Sequence, residues 1–92
     1  MKVKVKFFDD FRSLFGAKEK DVELSPESRV RGLLDMLCDT PDRRAGVFDE
    51  REDLNRHVIV MRNGAPLPPS VGLETRLRDG DQVAVFPFIG GG

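Results

Sequence analysis

The sequence predicts a single α+β domain, in which a mixed sheet of about four to five strands packs against one main helix. Three features of the 92-residue chain support this fold class. Apolar and charged residues alternate strictly at the start, apolar residues recur at helical spacing over 30–37, and an almost unbroken β-branched run fills 57–61. We expect the domain to span residues 1–89 and a flexible glycine tail to occupy 90–92.

The first two strands are predicted from alternation. Over residues 2–7, valine or phenylalanine faces one side and lysine the other, which is typical of a half-buried strand. A short segment rich in phenylalanine follows and is closed by Gly16. Alternation resumes over residues 20–24 and predicts a second strand. Two strands around one connection indicate a hairpin.

A helix start is predicted at Ser25. This side chain can accept hydrogen bonds from free N–H groups, Pro26 suits the first helical position, and Glu27 favours the positive end of the helix dipole. Apolar residues at helical spacing follow, and Thr40, which precedes a proline, is predicted to end the helix. The charged stretch over 42–56 is predicted to be a surface loop with one short helical turn.

The remaining strands are predicted in the second half of the chain. The β-branched run at 57–61 is typical of a central strand that is covered on both faces. Asn63-Gly64 directly after it is a strong hairpin signal, and residues 65–67, which include a proline, predict a brief return strand at an edge. A last strand is expected over 82–88.

Composition excludes several classes of function. The net charge of −1 provides no field that attracts polyanions, and the chain lacks the Trp and Tyr that stack on bases, so we expect no nucleic-acid binding. The single Cys38 and the single His57 predict no disulfide and no zinc site. No stretch has the length of a membrane span and the start lacks a secretion signal, so we expect no membrane contact and a cytoplasmic protein.

The last strand carries the candidate docking residues. We expect Val83 and Val85 to face the core, which turns Ala84 and Phe86 toward the opposite face. An apolar patch formed by Phe86, Phe88 and Ile89 would be a partner docking surface. The alternative is that a loop covers these side chains.

The sequence finishes with Gly90, Gly91 and Gly92. Glycine has no Cβ atom, so such a segment fits a channel that is too narrow for side chains. The Gly92 carboxylate is therefore the candidate reactive group, and Gly90 and Gly91 provide the clearance it needs. The alternative is a frayed chain end.

Several motifs together resemble the MoaD/ThiS-type ubiquitin-like sulfur carriers, especially the MoaD branch. They are VKFF at 5–8, VMRNG at 60–64, GLETRLRDGDQV at 72–83, FP at 86–87 and the final glycines. The resemblance covers most of the chain and is weakest over 42–56. It implies the β-grasp fold, in which a helix lies on a mixed sheet whose first and last strands are neighbours.

The same resemblance implies a chemistry for the tail. A ubiquitin-activating-type adenylyltransferase, similar to MoeB and ThiF, adenylates the Gly92 carboxylate, which then becomes a thiocarboxylate. ATP and Mg²⁺ belong to that partner, whereas this chain binds no cofactor or metal and has no catalytic site of its own.

Several recipients of the sulfur are compatible with the resemblance. The first is molybdopterin synthase, of which this chain would be the small subunit, with its tail inserted into the large subunit. A carrier for cysteine, thiamin or tungsten cofactor pathways, working with another sulfur-accepting enzyme, remains an alternative. So does a protein modifier that is conjugated to lysines through Gly92.

Overall fold

The computed structural model describes residues 1–69 and 71–88. Within these residues the chain forms five strands, three α-helices and one short 3₁₀ turn at Gly72–Glu74. In chain order the elements are β1 (Lys2–Phe7), α1 (Asp10–Phe15), β2 (Glu19–Glu23), α2 (Val30–Leu37), α3 (Pro41–Val47), β3 (Val58–Arg62), β4 (Ala65–Pro66) and β5 (Gln82–Pro87).

The strands form one mixed sheet in the order β2-β1-β5-β3-β4. β1 and β5 are parallel, and every other neighbouring pair is antiparallel. The β1–β2 hairpin and the β3–β4 ribbon are therefore joined in the sheet through β5. This order confirms the predicted β-grasp arrangement, including the neighbouring first and last strands.

The core lies between one face of the sheet and the helices. Phe15 of α1 stacks on Phe7 of β1 with a distance of 4.5 Å between the ring centroids. Each fully buried aliphatic side chain stabilises the fold by about 2 kcal/mol through the apolar surface it removes from water. The sheet and α2 contribute the buried residues Val3, Val5, Val83, Val85, Val30, Leu33, Leu34 and Leu37.

The main helix starts later than its sequence predicts. α2 begins at Val30 with Arg29 in the N-cap position and no side chain that caps it, so the predicted cap at Ser25 is wrong. The segment before the helix forms a turn instead. Glu27 has a φ of 70°, and the Ser28 N–H donates to the Ser25 carbonyl over 3.2 Å.

Pairing with a distant segment explains this later start. The Val30 N–H donates to the Thr75 carbonyl at 3.0 Å, and the Leu77 N–H donates to the Ser28 carbonyl at 2.9 Å. These bonds flank an antiparallel bridge between Arg29 and Arg76, so Arg29 is extended where the helix would otherwise have begun earlier, and Leu77 beside the bridge is 3% exposed. Hydrogen bonds between segments far apart in sequence therefore override a local capping motif.

Helix α3 occupies part of the stretch predicted to be a loop. The Thr40 Oγ1 accepts from the Arg43 N–H at 3.2 Å, and Pro41 lies in the first turn. Thr40 and Pro41 thus start a second helix after α2 has ended. The predicted short helical turn is thus present, but it is longer than expected, because α3 spans seven residues. The sequence does not show this length, since Val47 is the one buried residue of the helix and a single apolar position creates no helical period.

The tight turn after β3 forms as predicted. Asn63 and Gly64 have φ values of 49° and 82°, which are the left-handed conformations that a type I′ hairpin turn requires. The turn leads into the two-residue edge strand β4. The bounds of β2 and β5 differ by one residue from those predicted.

Candidate functional site

Strand β5 leads into the predicted functional tail. It lies in the middle of the sheet and pairs with β1 on one side and β3 on the other. Just beyond the strand, the Phe88 N–H donates to the His57 carbonyl at 2.7 Å. The rest of the candidate site lies outside the described residues, namely Ile89, Gly90, Gly91 and Gly92.

A buried carboxylate fixes the start of β5. Asp81 is 5% exposed, and its Oδ2 accepts from the Arg62 Nε at 2.9 Å and from the Arg78 N–H at 2.7 Å. Its Oδ1 accepts from the Asn63 side-chain amide at 2.9 Å. Burial raises the pKa of this carboxyl, but the hydrogen bonds from Asn63, Arg62 and the backbone of Arg78 outweigh burial and lower the pKa. Asp81 is therefore a structural group that ties β3 and its turn to β5.

The face of β5 that turns away from the core is part of an apolar surface. Phe86 is paired with Ile59 of β3, and Ala84 is paired with Met61. Phe8, which follows β1, meets Phe86 edge to face with the ring centroids 5.7 Å apart. All five side chains are half-buried. We call Phe8, Ile59, Met61, Ala84 and Phe86 the outer apolar patch.

A shallow cleft of about 270 Å³ opens in this patch between Phe8, Asp9 and Phe86. Asp9 holds a φ of 51°, a conformation that is costly for a residue other than glycine. Phe88 lies just beyond β5 and is 52% exposed. A cleft of this kind can receive an apolar side chain of a partner, and an exposed aromatic ring can enter a partner's pocket.

The structure places the predicted docking residues as strand alternation requires. Val83 and Val85 are fully buried, whereas Phe86 and Phe88 are not. Phe86 is covered in part by the ring of Phe8. That these side chains dock a partner stays a prediction.

Sequence reasoning missed three residues of the patch. Phe8 continues the lysine face of β1, so the alternation itself contains the signal for its position. The sequence gives no indication that Ile59 and Met61 lie on an exposed surface, because the β-branched run predicts a strand with both faces covered. That prediction is wrong, because Val58 and Val60 are buried but the alternate residues are only half-buried.

Neither Cys38 nor His57 belongs to this surface as a reactive group. Burial raises the pKa of the Cys38 thiol to about 11, which disfavours the nucleophilic thiolate. His57 contributes its backbone carbonyl to Phe88. Among residues 1–69 and 71–88, no group of three or more His, Cys, Asp or Glu side chains could hold a metal ion. Nor does the described part of the chain contain a helix long and apolar enough to cross a membrane.

A larger cleft of about 690 Å³ lies beside α3 and the loop after it. One of the two arginines that line it, Arg44, is already engaged, because its guanidinium pairs with Asp35 at 3.2 Å and also with Glu52. The same guanidinium lies 4.7 Å from the centroid of the Phe48 ring. These exposed ion pairs order the loop locally and stabilise the fold little.

A β-grasp sheet whose central last strand leads to a glycine run defines the class of ubiquitin-like carriers and modifiers. Within that class, the ThiS family matches residues 5–92, and the chain belongs to this family. The family and fold expected from the sequence motifs are thereby confirmed.

Individual relatives resemble this chain along its whole length. Small archaeal modifier protein 3 of Haloferax volcanii is 34% identical over 92 residues, which are 100% of both chains. The crystal structure of SAMP1 from Haloferax volcanii matches with a TM-score of 0.84 and 27% identity, and the match covers 100% of each chain. The putative molybdopterin converting factor, subunit 1, from Pyrococcus furiosus matches with a TM-score of 0.72 and 34% identity over 97% of this chain and 99% of that one.

Proposed function

We propose that this chain carries sulfur as a thiocarboxylate on Gly92 and donates it in molybdopterin biosynthesis. The observation that carries the proposal is the position of β5, the central strand, which ends beside the outer apolar patch and is followed in sequence by the glycine run. A partner that docks on the patch therefore receives the tail. The 34% identity to the putative molybdopterin converting factor of Pyrococcus furiosus supports this pathway.

The chemistry begins with a group that is unreactive by itself. A carboxylate repels nucleophiles, so an oxygen of Gly92 first attacks the α-phosphorus of ATP, and pyrophosphate leaves. Sulfide then attacks the carbonyl carbon of the acyl adenylate, AMP leaves, and the thiocarboxylate remains. The nucleotide and Mg²⁺ are bound by the ubiquitin-activating-type adenylyltransferase, and this chain supplies the tail.

Docking and tail length together limit where the partner's reaction centre can lie. The four residues beyond Phe88 span at most about 14 Å when extended. The adenylylation centre must therefore lie within that distance of Phe88 when the outer apolar patch is occupied. The activating enzyme and the large subunit of molybdopterin synthase need the same tail, so they bind this chain in turn and not together.

A second candidate is a protein modifier, supported by the 34% identical Haloferax volcanii relative that is named a modifier protein. Activation would be the same, but a lysine amine of a target protein would attack the acyl adenylate in place of sulfide. Carriage of sulfur to cysteine, thiamin or tungsten cofactor synthesis remains a further alternative.

Intact-mass spectrometry after co-expression with a ubiquitin-activating-type adenylyltransferase distinguishes a sulfur carrier from a protein modifier. A sulfur carrier gains the mass of one oxygen-for-sulfur exchange, and a chain that lacks Gly91 and Gly92 shows no such gain. Conjugates of higher mass that survive thiols and alkali would support the modifier instead. A full-length chain that stays unchanged beside an enzyme with demonstrated adenylation activity would contradict both.

A further inference from the structure

The Arg12 side chain of α1 is fixed at one border of the outer apolar patch. Its Cζ atom lies 5.6 Å from the centroid of the Phe8 ring, and its Nε donates to the Phe7 carbonyl at 3.0 Å. A cation over the face of an aromatic ring is attracted to it, so these two contacts hold the guanidinium in place. Arg12 is nevertheless an exposed residue, so a partner that covers Phe8 also meets the guanidinium.

Arg43 of α3 has the same two kinds of contact and a third. Its Nε donates to the Leu14 carbonyl at 3.0 Å, and its Cζ lies 5.6 Å from the centroid of the Phe15 ring. In addition, its Nη1 donates to Asp39 Oδ1 at 2.6 Å. A main-chain carbonyl and a ring thus orient this guanidinium, and a carboxylate accepts from a terminal nitrogen. Arg12 has both orienting contacts.

No carboxylate of the described residues pairs with Arg12. It is in no salt bridge within 1–69 and 71–88, whereas Arg43 and Arg44, which also lie over phenylalanine rings, each pair with a carboxylate. Asp9 stands three positions before Arg12, a spacing at which helical side chains can meet, but it lines the shallow cleft instead. The Nη atoms of Arg12 can therefore bind an anionic group from beyond the described residues.

We propose that Arg12 is a specificity-determining residue of the docking surface and binds a carboxylate of the activating enzyme. The proposal rests on the proposed function, because it takes the ubiquitin-activating-type adenylyltransferase as the partner that covers the outer apolar patch. The Nε of Arg12 is already bonded to the Phe7 carbonyl, so the carboxylate binds end-on, and its two oxygens accept from Nη1 and Nη2. The enzyme thus carries an acidic side chain beside the apolar side chain that enters the cleft.

The surroundings of Arg12 favour a protein carboxylate over a phosphate group. A guanidinium matches both anions, but Asp9 lines the adjacent cleft and repels a dianion more strongly than a singly charged side chain. The other residues that line this cleft are Phe8 and Phe86, whose rings suit an apolar side chain. A protein surface supplies an apolar and an acidic side chain together.

Arg12 also acts against wrong partners. A partner with apolar groups alone would remove water from the guanidinium over Phe8 and offer it no acceptor, which costs free energy. A surface with both an apolar side chain and a carboxylate avoids this cost. The outer apolar patch therefore provides affinity, and Arg12 provides selection among apolar surfaces.

The test is ATP–pyrophosphate exchange with the full chain and a ubiquitin-activating-type adenylyltransferase that adenylates it. Arg12→Gln should raise the KM for this chain about tenfold and leave kcat nearly unchanged, because a charge-assisted pair that forms on docking is lost. Arg12→Lys keeps the charge but not the two parallel donors, so its KM should lie between those of wild type and Arg12→Gln. Equal KM values for wild type and Arg12→Gln would overturn the proposal.

The salt dependence of KM distinguishes a charge pair from packing over the Phe8 ring. Dissolved ions screen the attraction between a guanidinium and a carboxylate at the rim of an interface. The ratio of the KM of Arg12→Gln to that of wild type should therefore shrink as the salt concentration rises. A ratio that stays constant would show that Arg12 supports the fold of the patch and does not bind a carboxylate.

Two variants serve as matched controls. Arg51→Gln removes the same charge from an exposed residue that lines the larger cleft beside α3, and its KM should equal that of wild type. Arg43→Gln removes the corresponding contacts of α3, so it should lower the thermal stability and leave KM unchanged. An equal rise of KM in Arg51→Gln and Arg12→Gln would assign the effect to net charge and overturn the role of Arg12.

An amidated C-terminus separates the enzyme's carboxylate from the one at Gly92 of this chain. The amidated chain cannot be adenylated, so its binding to the enzyme is measured by isothermal titration calorimetry. Arg12→Gln should raise the Kd of the amidated chain about tenfold as well. If amidation removes the effect of Arg12→Gln, the carboxylate belongs to the tail of this chain and the proposal fails.

Failure at Arg12 and failure of the proposed function give different results. If wild-type chain supports exchange and Arg12→Gln supports it equally well, the role of Arg12 is refuted while activation stands. If wild-type chain supports no exchange with an enzyme that is active on another carrier, the proposed function itself fails.

Discussion

One residue, Asp81, joins the end of β3 and the turn after it to the start of β5. Its carboxylate accepts hydrogen bonds from Arg62 at the end of β3, from Asn63 in the following turn and from the backbone before β5. These bonds fix the start of the central strand β5. Removing this acceptor would leave partly buried donors unpaired.

Asp81→Asn should lower the free energy of unfolding at neutral pH by about 2 kcal/mol. The pKa of Asp81 is lower in the folded than in the unfolded chain. Its stabilisation is therefore fully present above the unfolded pKa of about 3.9 and disappears as the pH falls through the lower folded value. Urea unfolding followed by circular dichroism at several pH values should show the difference between wild type and variant shrinking as the pH falls below the unfolded pKa of about 3.9.

Asp79→Asn is the matched control for this experiment. Asp79 is exposed in the same turn and accepts one hydrogen bond, from the Lys2 N–H at 2.7 Å. Its replacement should cost about 1 kcal/mol or less. If the two variants lose equal stability at every pH, Asp81 does not have the role assigned to it.

The helices differ in whether a side chain accepts a hydrogen bond from the N–H groups of the first turn. Thr40→Ala removes the acceptor of the Arg43 N–H in α3 and should lower the free energy of unfolding by about 1 kcal/mol. Ser25→Ala should change it by about 0.5 kcal/mol or less, because the Ser25 side chain caps neither α2 nor any other described helix. Denaturant unfolding of both variants checks this order, and the reverse order would reinstate the helix start that the sequence predicts.

The sequence predicts elements well where one local pattern decides the structure. Alternation in β1 and the left-handed turn at Asn63-Gly64 depend on neighbouring residues alone, and both form as expected. The start of α2 depends on hydrogen bonds to Thr75, which no local pattern reveals. The docking surface can be predicted only in part. Alternation places Phe86 on the outer face, but it cannot show that strand pairing brings Ile59 beside it.

At the scale of the whole molecule, the sheet has an open face with two different halves. Toward β2 it carries cross-strand pairs of opposite charge, such as Lys4 with Glu19 at 3.7 Å. Toward β3 it carries the outer apolar patch, beside the strand that leads to the tail. The charged half discourages contacts with other sheets. We therefore expect a partner's apolar surface to dock on the other half, beside the end of β5.

Phe86→Ala should weaken docking to the activating enzyme more than it weakens the fold. Loss of the edge-to-face contact with Phe8 costs about 1 kcal/mol of stability, whereas loss of an interface anchor costs about 2 kcal/mol of binding. Phe88→Ala should affect docking alone, because the ring is already 52% exposed. In an ATP–pyrophosphate exchange assay, both variants should raise the KM for this chain and leave kcat nearly unchanged.

Met36→Ala provides the control for these two variants. Met36 is 56% exposed on α2, so the substitution removes a comparable apolar group away from β5. Its KM should equal that of wild type. A collapse of thermal stability in Phe86→Ala, with docking unaffected in Phe88→Ala, would show that Phe86 serves the fold and not the partner.

The central position of β5 also links synthesis of the chain to its use. β5 is the last strand along the chain, yet it is the strand that joins the β1–β2 hairpin to the β3–β4 ribbon. Without β5 the hairpin and the ribbon would have no shared strand, and the outer apolar patch would lack Ala84 and Phe86. Under the proposed docking, we expect an activating enzyme that binds this patch to adenylate only copies in which β5 has taken its place in the sheet.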